Sequence, residues 1–257
     1  MLSTIVTAVV AGVVVTTIAN LATTIYLHRG LAHRAISFPQ PVDATFKTLV
    51  WLSTGIKVRE WVAVHRKHHA HTDTDLDPHS PAVSGWRTVQ LHNLAMYRRA
   101  AHDRANIERY ARDLAPTTWD RIVFDRSWLG LLLGLALLCA VLGPVTGMLA
   151  GAVHLTYYVS ASAAVNAIGH HFGRRPYQNS ATNLQWLALL TAGEGLHNNH
   201  HAAPTSAKLA HRRTEFDPAW LLVRPMTWLG LAELRMSGIK LLPDARRPDA
   251  TVPTATP

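Results

Sequence analysis

Three long apolar stretches mark the chain, and polar residues fill most of the sequence between them. Segments 5–27, 128–142 and 145–167 contain no Asp, Glu, Lys or Arg. A helix that crosses a bilayer needs about 20 mostly apolar residues. The second segment is shorter than this, and the third follows it directly after Gly143 and Pro144. We therefore predict three transmembrane helices, of which the second and third form a helical hairpin.

Shorter patterned stretches predict further helices at or near the membrane surface. Segment 44–61 is amphipathic, but Lys47 and Lys57 enclose only about nine residues, too few for a span. A helix of this kind lies in the interface. Segment 182–193 is a second candidate interfacial helix, and segment 86–126 predicts a polar helix with a basic face.

The predicted fold class is an all-α integral membrane protein. It has about three transmembrane helices, interfacial helices and a cytoplasmic helical cap, which together form a single domain over residues 1–241. Residues 242–257 are rich in Pro, Ala and Thr, a composition that cannot bury enough apolar surface to fold, and we predict a disordered tail.

Charge gives the predicted helices an orientation. Charged residues make up 16% of the 257 residues, against about 25% in soluble domains. The net charge is +9, and the basic residues concentrate in bands 29–34, 57–126 and 174–213. Such bands are typical of cytoplasmic segments. We expect a cell (inner) membrane protein with its functional site on the cytoplasmic side, and no nucleic-acid partner, because no binding motif accompanies the charge.

Most of the sixteen histidines fall into clusters with helical spacing. The clusters are His28 and His33; His65, His68 and His69; Asn166 and His170; and His197, His200 and His201. Positions i, i+3 and i+4 share one helix face, so each HxxHH run is expected to converge on one point. His28 and His33 are five apart: either Gly30 breaks the helix and brings them together, or each serves a different ion.

The predicted topology places all four clusters on one membrane face. Nine imidazoles exceed the needs of one ion but suit two six-coordinate ions, with a water held by Asn166 and room for a small substrate such as O2. Imidazole is a ligand for Fe, Cu, Ni and Zn. The surplus of ligands and the single cysteine disfavour structural zinc.

Acidic residues near the clusters are candidate partners of the ligand imidazoles. Glu194 can accept a proton from such an imidazole and fix its tautomer, or it can cap a helix. Asp73, Asp75 and Asp77 can act in the same way, or they form a solvated loop. We expect His154, within a span, to be a hydrogen-bonded core residue. Surface or structural roles are expected for His71, His79, His92, His102 and His211.

Four stretches resemble the integral-membrane fatty acyl desaturases of the stearoyl-CoA (delta-9) desaturase type, in a short bacterial form. They are "YLHRGLAHR", "EWVAVHRKHHAHTDTDLDPHSP", "NAIGHHFG" and "GEGLHNNHHAAP", and the similarity covers roughly residues 26–229. The resemblance implies a di-iron centre held by the nine clustered histidines, with Asn166 bound through water. It also implies that Trp61 lines the acyl tunnel.

Two departures affect the expected substrate and partner. Animal acyl-CoA members of the family carry an Arg-Asp pair just before the second histidine motif, where this chain has Ala63 and Val64. Acyl-CoA, phospholipid-bound and carrier-protein-bound chains therefore all stay open as substrates. No fused cytochrome or flavin segment is visible, which implies a separate electron donor, either a ferredoxin or a flavoprotein reductase.

The function predicted on this basis is an O2-dependent fatty acyl desaturase that places a double bond in a saturated acyl chain. One alternative is a membrane di-iron hydroxylase of lipid or alkyl substrates. A second is a membrane metal-binding or transport protein, which is disfavoured because the clustered histidines lie at the ends of the spans rather than along them.

Overall fold

The computed structural model describes residues 1–236 and 238–245, and these residues are mostly helical. The α-helices are α1 (Leu2–Ala22), α2 (Gln40–Thr54), α3 (Val58–His71), α4 (Pro81–Ser84), α5 (Trp86–Ala101), α6 (Arg104–Tyr110), α7 (Ser127–Leu142), α8 (Pro144–Ala167), α9 (Gln185–Leu190), α10 (His197–Ala202) and α11 (Trp220–Trp228). Two π-helices span Thr23–Ala32 and Asp120–Phe124. Strands β1 (Ile36–Ser37) and β2 (Glu233–Leu234) pair antiparallel.

Two helical stretches in the described part of the chain are long and apolar enough to cross a membrane. The first is Leu2–Ala32, in which α1 runs directly into a π-helix, and the second is α8; their mean hydropathies are 2.2 and 1.3. Helix α7 contains no charged residue but has only 16 residues. At 1.5 Å per residue it is about 24 Å long, shorter than a hydrocarbon core of about 30 Å.

Small residues bring these apolar helices into close contact. α8 packs against both α1 and α7, so the predicted hairpin is confirmed. A side-chain carbon at Gly147 would lie 2.5 Å from Cys139 Cα, and one at Gly12 would lie 2.7 Å from the Val153 side chain. Glycine at these positions therefore lets the helix backbones touch, as is common between helices in lipid.

The outer faces of the same helices are apolar and exposed. Val10 of α1, Leu132 and Val141 of α7, and Leu155 of α8 are 57%, 56%, 72% and 60% exposed. Contiguous exposed apolar surface of this kind marks a membrane or partner contact, which agrees with membrane helices.

His154 connects helices α1, α2 and α8, and it is a hydrogen-bonded core residue, as predicted. It lies in α8 and is 8% exposed. Its Nε2–H donates to the Ser53 carbonyl of α2 at 2.6 Å, which leaves Nδ1 to accept from the Thr16 hydroxyl of α1 at 3.0 Å. Both ring nitrogens are therefore paired inside the helical bundle.

The polar helices differ from the sequence prediction. Segment 44–61 is not one helix: α2 ends at Gly55, whose φ of 64° is left-handed, and α3 begins at Val58. Glycine adopts this conformation without strain, and it commonly ends helices. The single helix predicted over 86–126 is wrong as well, because α5, α6 and a π-helix divide this segment. Segment 182–193 contains the short helix α9, as expected.

The C-terminal residues return to the site-bearing part of the fold. Leu242 N–H donates to the Ala202 carbonyl at 2.8 Å, and Ala245 packs with Tyr177 and Ala202. The disordered tail was predicted to begin at residue 242; its remaining residues, 246–257, lie outside the described residues.

Candidate metal centre

The nine clustered histidines come together in the fold as two groups. The first histidine group is His28, His33, His65, His69 and His200. The second histidine group is His68, His170, His197 and His201. Within each group, one ring nitrogen of every member lies within 4.8 Å of the others. Six of the nine side chains are buried, and His33, His65 and His69 are half-buried.

Each HxxHH helix contributes to both groups, so the expectation that its three histidines converge on one point is wrong. On α3, His65 and His69 face the first group while His68 faces the second. At 3.6 residues per turn, positions i and i+4 are about 40° apart, whereas i+3 lies about 100° from i+4. The i, i+4 pair therefore stays together, and the residue at i+3 turns to the neighbouring group.

Helix α10 repeats this division in the opposite sense. His197 and His201 belong to the second group, and His200 belongs to the first. The two helices meet through their histidines: Nε2 of His200 lies 2.9 Å from Nε2 of His69, and Nε2 of His201 lies 3.3 Å from Nε2 of His68. Each group is thus built from both helices.

A π-helix explains why His28 and His33 share one group despite their spacing. The π-helix Thr23–Ala32 stays continuous through Gly30, and the His33 N–H donates to the His28 carbonyl at 3.0 Å. In π-helical backbone the hydrogen bonds join positions five apart. The two rings consequently lie 4.9 Å apart, centre to centre. Two explanations of this spacing were considered from the sequence: a helix break at Gly30, or a different ion for each histidine. The π-helix makes both unnecessary.

His170 and Asn166 occupy the end of α8 and the turn after it. α8 ends at Ala167, so His170 is not on the helix, although Asn166 is. The His170 side chain enters the second group, and Asn166 lines the cavity beside it.

Three carboxylates hold the Nδ1 atoms of three clustered histidines. Glu194 lies 2.7 Å from His28 Nδ1. Asp77 lies 3.0 Å from Nδ1 of His68, and Asp73 lies 2.9 Å from Nδ1 of His170. A carboxylate on Nδ1–H fixes the tautomer and leaves Nε2 free as a ligand.

Asp75 does not share this role. Its side chain is exposed, and it makes no contact with a clustered histidine in the described residues. The loop instead turns its first and last acidic residues inward: Asp73 adopts a φ of 59°, a left-handed conformation that aspartate tolerates. The Asp73 and Asp77 carboxylates therefore face the histidines while Asp75 faces solvent.

Burial favours the neutral form of seven of the nine clustered imidazoles. Desolvation, followed by the charges of neighbouring histidines, holds the pKa of six of them well below the ordinary value: His33, His65, His69, His197, His200 and His201. Desolvation also lowers the pKa of His170, although Asp73 opposes the shift. Burial alone would raise the pKa of Asp73 and Asp77, but their histidine partners hold both below the usual range. Neutral imidazole is the form that binds metal.

A cavity of about 110 Å³ adjoins both groups, and Trp61 lines it. The Trp61 indole stacks on His65, with centroids 4.9 Å apart and planes 8° apart. His28 and His197, one from each group, also line the cavity. Trp61, which was expected to face the acyl chain, therefore lies in the wall of a cavity that adjoins both histidine groups.

His79 was predicted to be a surface or structural residue rather than a ligand, and it is not on the surface but buried beside the second histidine group. It is 6% exposed, its ring lies 4.9 Å from that of His68, and it lines the same cavity. Burial, with the charge of His68, lowers its pKa to about 3. A single histidine in an irregular loop has no periodicity that would reveal this position; only its place after Asp77 and Pro78 was visible.

Arg29 is a second residue that sequence reasoning missed. It is 1% exposed, and its two terminal nitrogens donate to the two carboxylate oxygens of Asp217 at 2.8 and 2.9 Å. Its Nε–H donates to the Thr24 hydroxyl, which donates in turn to Glu194, the partner of His28. The ion pair therefore connects the chain after α10 to the first histidine motif.

Two buried asparagines fix the short helix α10. Asn198 donates to the Tyr177 carbonyl at 3.0 Å and to the Ala181 carbonyl at 2.9 Å. Asn199 donates to the Leu209 carbonyl at 2.9 Å and to Glu215 at 2.7 Å. A helix of six residues has little stability of its own, so these side chains hold it in place.

Comparison with known proteins identifies the family. The fatty acid desaturase family model matches residues 3–226. Delta-9 acyl-lipid desaturase 2 of Arabidopsis thaliana is 30% identical over 236 residues, which cover 90% of this chain and 74% of the relative. The sn-1 stearoyl-lipid 9-desaturase of Anabaena variabilis is 31% identical over 216 residues, covering 83% and 78%. The acyl-CoA C20 Delta5-desaturase of Anemone leveillei is 31% identical over 221 residues, covering 82% and 67%. The chain therefore belongs to the fatty acid desaturase family, whose members are oxidoreductases of acyl lipids.

Proposed function

We propose that this protein is an O2-dependent acyl desaturase that introduces a double bond into a saturated acyl chain at a pair of iron ions. The observation that carries the proposal is the division of nine histidines into two adjoining groups beside a cavity. One ion would be held by His28, His33, His65, His69 and His200. The other would be held by His68, His170, His197 and His201, with Asn166 bound through a water.

The spacing of the nitrogens fits metal ligation. Two nitrogens that bind one ion at about 2.1 Å and at right angles lie about 3.0 Å apart. The Nε2–Nε2 distances within the groups, for example His33 to His65 and His201 to His197, are 2.8–3.3 Å. His170 Nε2 is buried and has no hydrogen-bond partner in the described residues. An all-imidazole ligand set suits iron.

When bound, the iron pair supplies the oxidising power that removes two hydrogens from an unactivated methylene pair with O2 and two electrons. The protein's own groups prepare the site for this chemistry. Glu194, Asp73 and Asp77 keep three imidazoles in the ligating tautomer. Trp61, stacked on His65, provides an apolar wall against which the chain can be positioned and water excluded.

The comparisons support a lipid-bound chain and position 9 for the double bond. The Arabidopsis relative is named a delta-9 acyl-lipid desaturase and the Anabaena relative a stearoyl-lipid 9-desaturase. The Anemone relative is named an acyl-CoA C20 Delta5-desaturase. Ala63 and Val64 are 0% and 2% exposed, so these two positions present no charge to a soluble carrier. We therefore favour an acyl group esterified to a membrane lipid over acyl-CoA or acyl carrier protein.

The basic bands support a cell (inner) membrane location with the two histidine groups on the cytoplasmic side. In a chain without Cys139, we expect His102→Cys to react only with a reagent in the cytoplasm. Val145→Cys, at the start of α8, should react only from the other side. Both electrons come from a separate donor, a ferredoxin or a flavoprotein reductase.

Expression in a host of known lipid composition tests the function. Gas chromatography with mass spectrometry should find a new double bond at carbon 9 of lipid-bound chains. His68→Ala and His200→Ala, one from each group, should abolish the product and lower the bound iron, while His102→Ala, on the exposed surface, should change neither. An alcohol product would identify a hydroxylase instead. Metal flux into vesicles without any lipid change would identify a transporter.

A further inference from the structure

His79 is held at the cavity by the loop that also holds the second histidine group. The loop begins after α3, and Asp77 accepts hydrogen bonds from His68 Nδ1 and from the backbone N–H of Asp73 and His79. The Ser80 hydroxyl donates to Asp73, whose other oxygen binds His170. The backbone of His79 is thus held next to two clustered histidines by the same carboxylates that orient them.

Both ring nitrogens of His79 are buried, and neither has a hydrogen-bond partner within the described residues. A neutral imidazole carries one donor and one acceptor. Leaving such a group buried and unpaired is unfavourable, so the ring is suited to a ligand that is not part of the polypeptide. His71, by comparison, is bound to the Tyr110 hydroxyl at 2.8 Å.

The cavity that His79 faces carries other polar groups without protein partners. Asn93 Oδ1 and His197 Nδ1 are both buried and unpaired in the described part of the chain, and both residues line this cavity together with Asn166. One water needs roughly 10–15 Å³ of such space, so a cavity of about 110 Å³ is large enough for several. The wall next to the second group is therefore polar, whereas Trp61 contributes an apolar wall.

His79 is not placed as a tenth histidine ligand. It comes within 4.8 Å of His68 and Asp77, but it is not a member of the group that contains His170 and His197. The facing atoms of His68 and Asp77 are already hydrogen-bonded to each other at 3.0 Å. A third ion among these residues would have to break that bond.

We propose that His79 is a further binding residue of the site, whose imidazole hydrogen-bonds a water or other small oxygen- or nitrogen-containing ligand held in the cavity beside the second histidine group. This inference rests on the proposed function, because the ligand in question is one that completes the metal centre. The second histidine group contains four imidazoles, one fewer than the first group. It also lies beside the polar wall of the cavity.

Azide binding to the iron-loaded, oxidised protein tests the inference without turnover. Azide is a small ligand of ferric iron, and its binding is followed by optical absorption. His79→Leu keeps a similar volume but removes both polar atoms, whereas His79→Gln keeps a donor and an acceptor. We expect His79→Leu to weaken azide binding about tenfold, the factor that corresponds to 1.4 kcal/mol. His79→Gln should stay within about threefold of the parent protein, and His102→Leu should match it.

Iron content decides between hydrogen bonding and ligation. Both His79 variants should retain two irons per chain, like the parent. Unchanged azide affinity in His79→Leu would overturn the inference, and so would loss of iron from both variants, because His79 would then be a ligand or a purely structural residue. A parent protein that binds no iron would refute the proposed function itself, which the iron assay reports before any azide is added.

Discussion

Removing the charge of Asp217 should destabilise the protein far more than removing that of an exposed aspartate. Asp217→Asn leaves the Arg29 guanidinium charged and without its ionic partner, and both side chains are 1% exposed. Breaking a buried ion pair by removing one partner costs about 3–5 kcal/mol. For a chain of this size, 1 kcal/mol corresponds to about 2–4 °C in Tm, so we expect Tm to fall by about 6–20 °C.

The assay is thermal unfolding of the detergent-solubilised protein, with Asp113→Asn as the matched control. Asp113 also pairs with arginines, but its side chain is 30% exposed and that of Arg34 is 55% exposed. Surface pairs contribute about 0–1 kcal/mol, so the control should lose only a few degrees. The double variant Arg29→Met with Asp217→Leu should recover part of the loss, because no unpaired charge stays buried. Equal losses in Asp217→Asn and Asp113→Asn would refute the reasoning.

Three further outcomes follow from the site and the helical bundle. Lowering the pH from 8 to 5 should release metal and lower Tm. In the folded protein the buried histidines have pKa values below the ordinary value of about 6.5. Their contribution to stability is therefore fully present above about pH 6.5 and is lost as the pH falls below it. A metal content and Tm that stay constant over this range would contradict the argument. Asp77→Asn should weaken metal binding about 10–100-fold in a chelator competition, while Asp75→Asn, on the exposed side of the same loop, should not; equal effects would show that the His68 contact is unimportant. His154→Leu removes the hydrogen bonds that join α1, α2 and α8 and leaves their partners buried, at about 1–3 kcal/mol for each. Its Tm should fall with no change in bound metal, and a loss of metal would show that His154 acts on the site.

The sequence was sufficient to identify the clustered histidines but not to assign each one to the first or the second histidine group. Spacing of three and four residues reliably indicates a shared helix face, which is why both HxxHH runs were identified. Which member turns to which group depends on where the second helix lies, and that is a property of α3 and α10 together. His68 and His200 could not have been assigned from either motif alone.

Local backbone geometry accounts for a second class of error. The interval from His28 to His33 was judged against an α-helix, in which positions five apart diverge. The π-helix that brings them together leaves no clear signal in residue type. Similarly, nothing in segment 44–61 except Gly55 indicated that two helices meet there.

Contacts between distant positions form a third class. Arg29 and Asp217 are separated by 188 positions, and each looks like an ordinary surface residue in its own segment. His79 could not be identified for the same reason, because the cavity that it lines is formed with residues of the distant helices α5 and α8. The apolar spans, by contrast, were visible because their signal is contained within a single continuous stretch.

Because α3 and α10 each send side chains to both histidine groups, we expect the binding of two ions to be coupled. An ion in either position would draw the two helices into register and so preorganise the other position. Titration with ferrous iron should therefore be steep, with protein carrying a single ion scarce at every ratio of metal to chain.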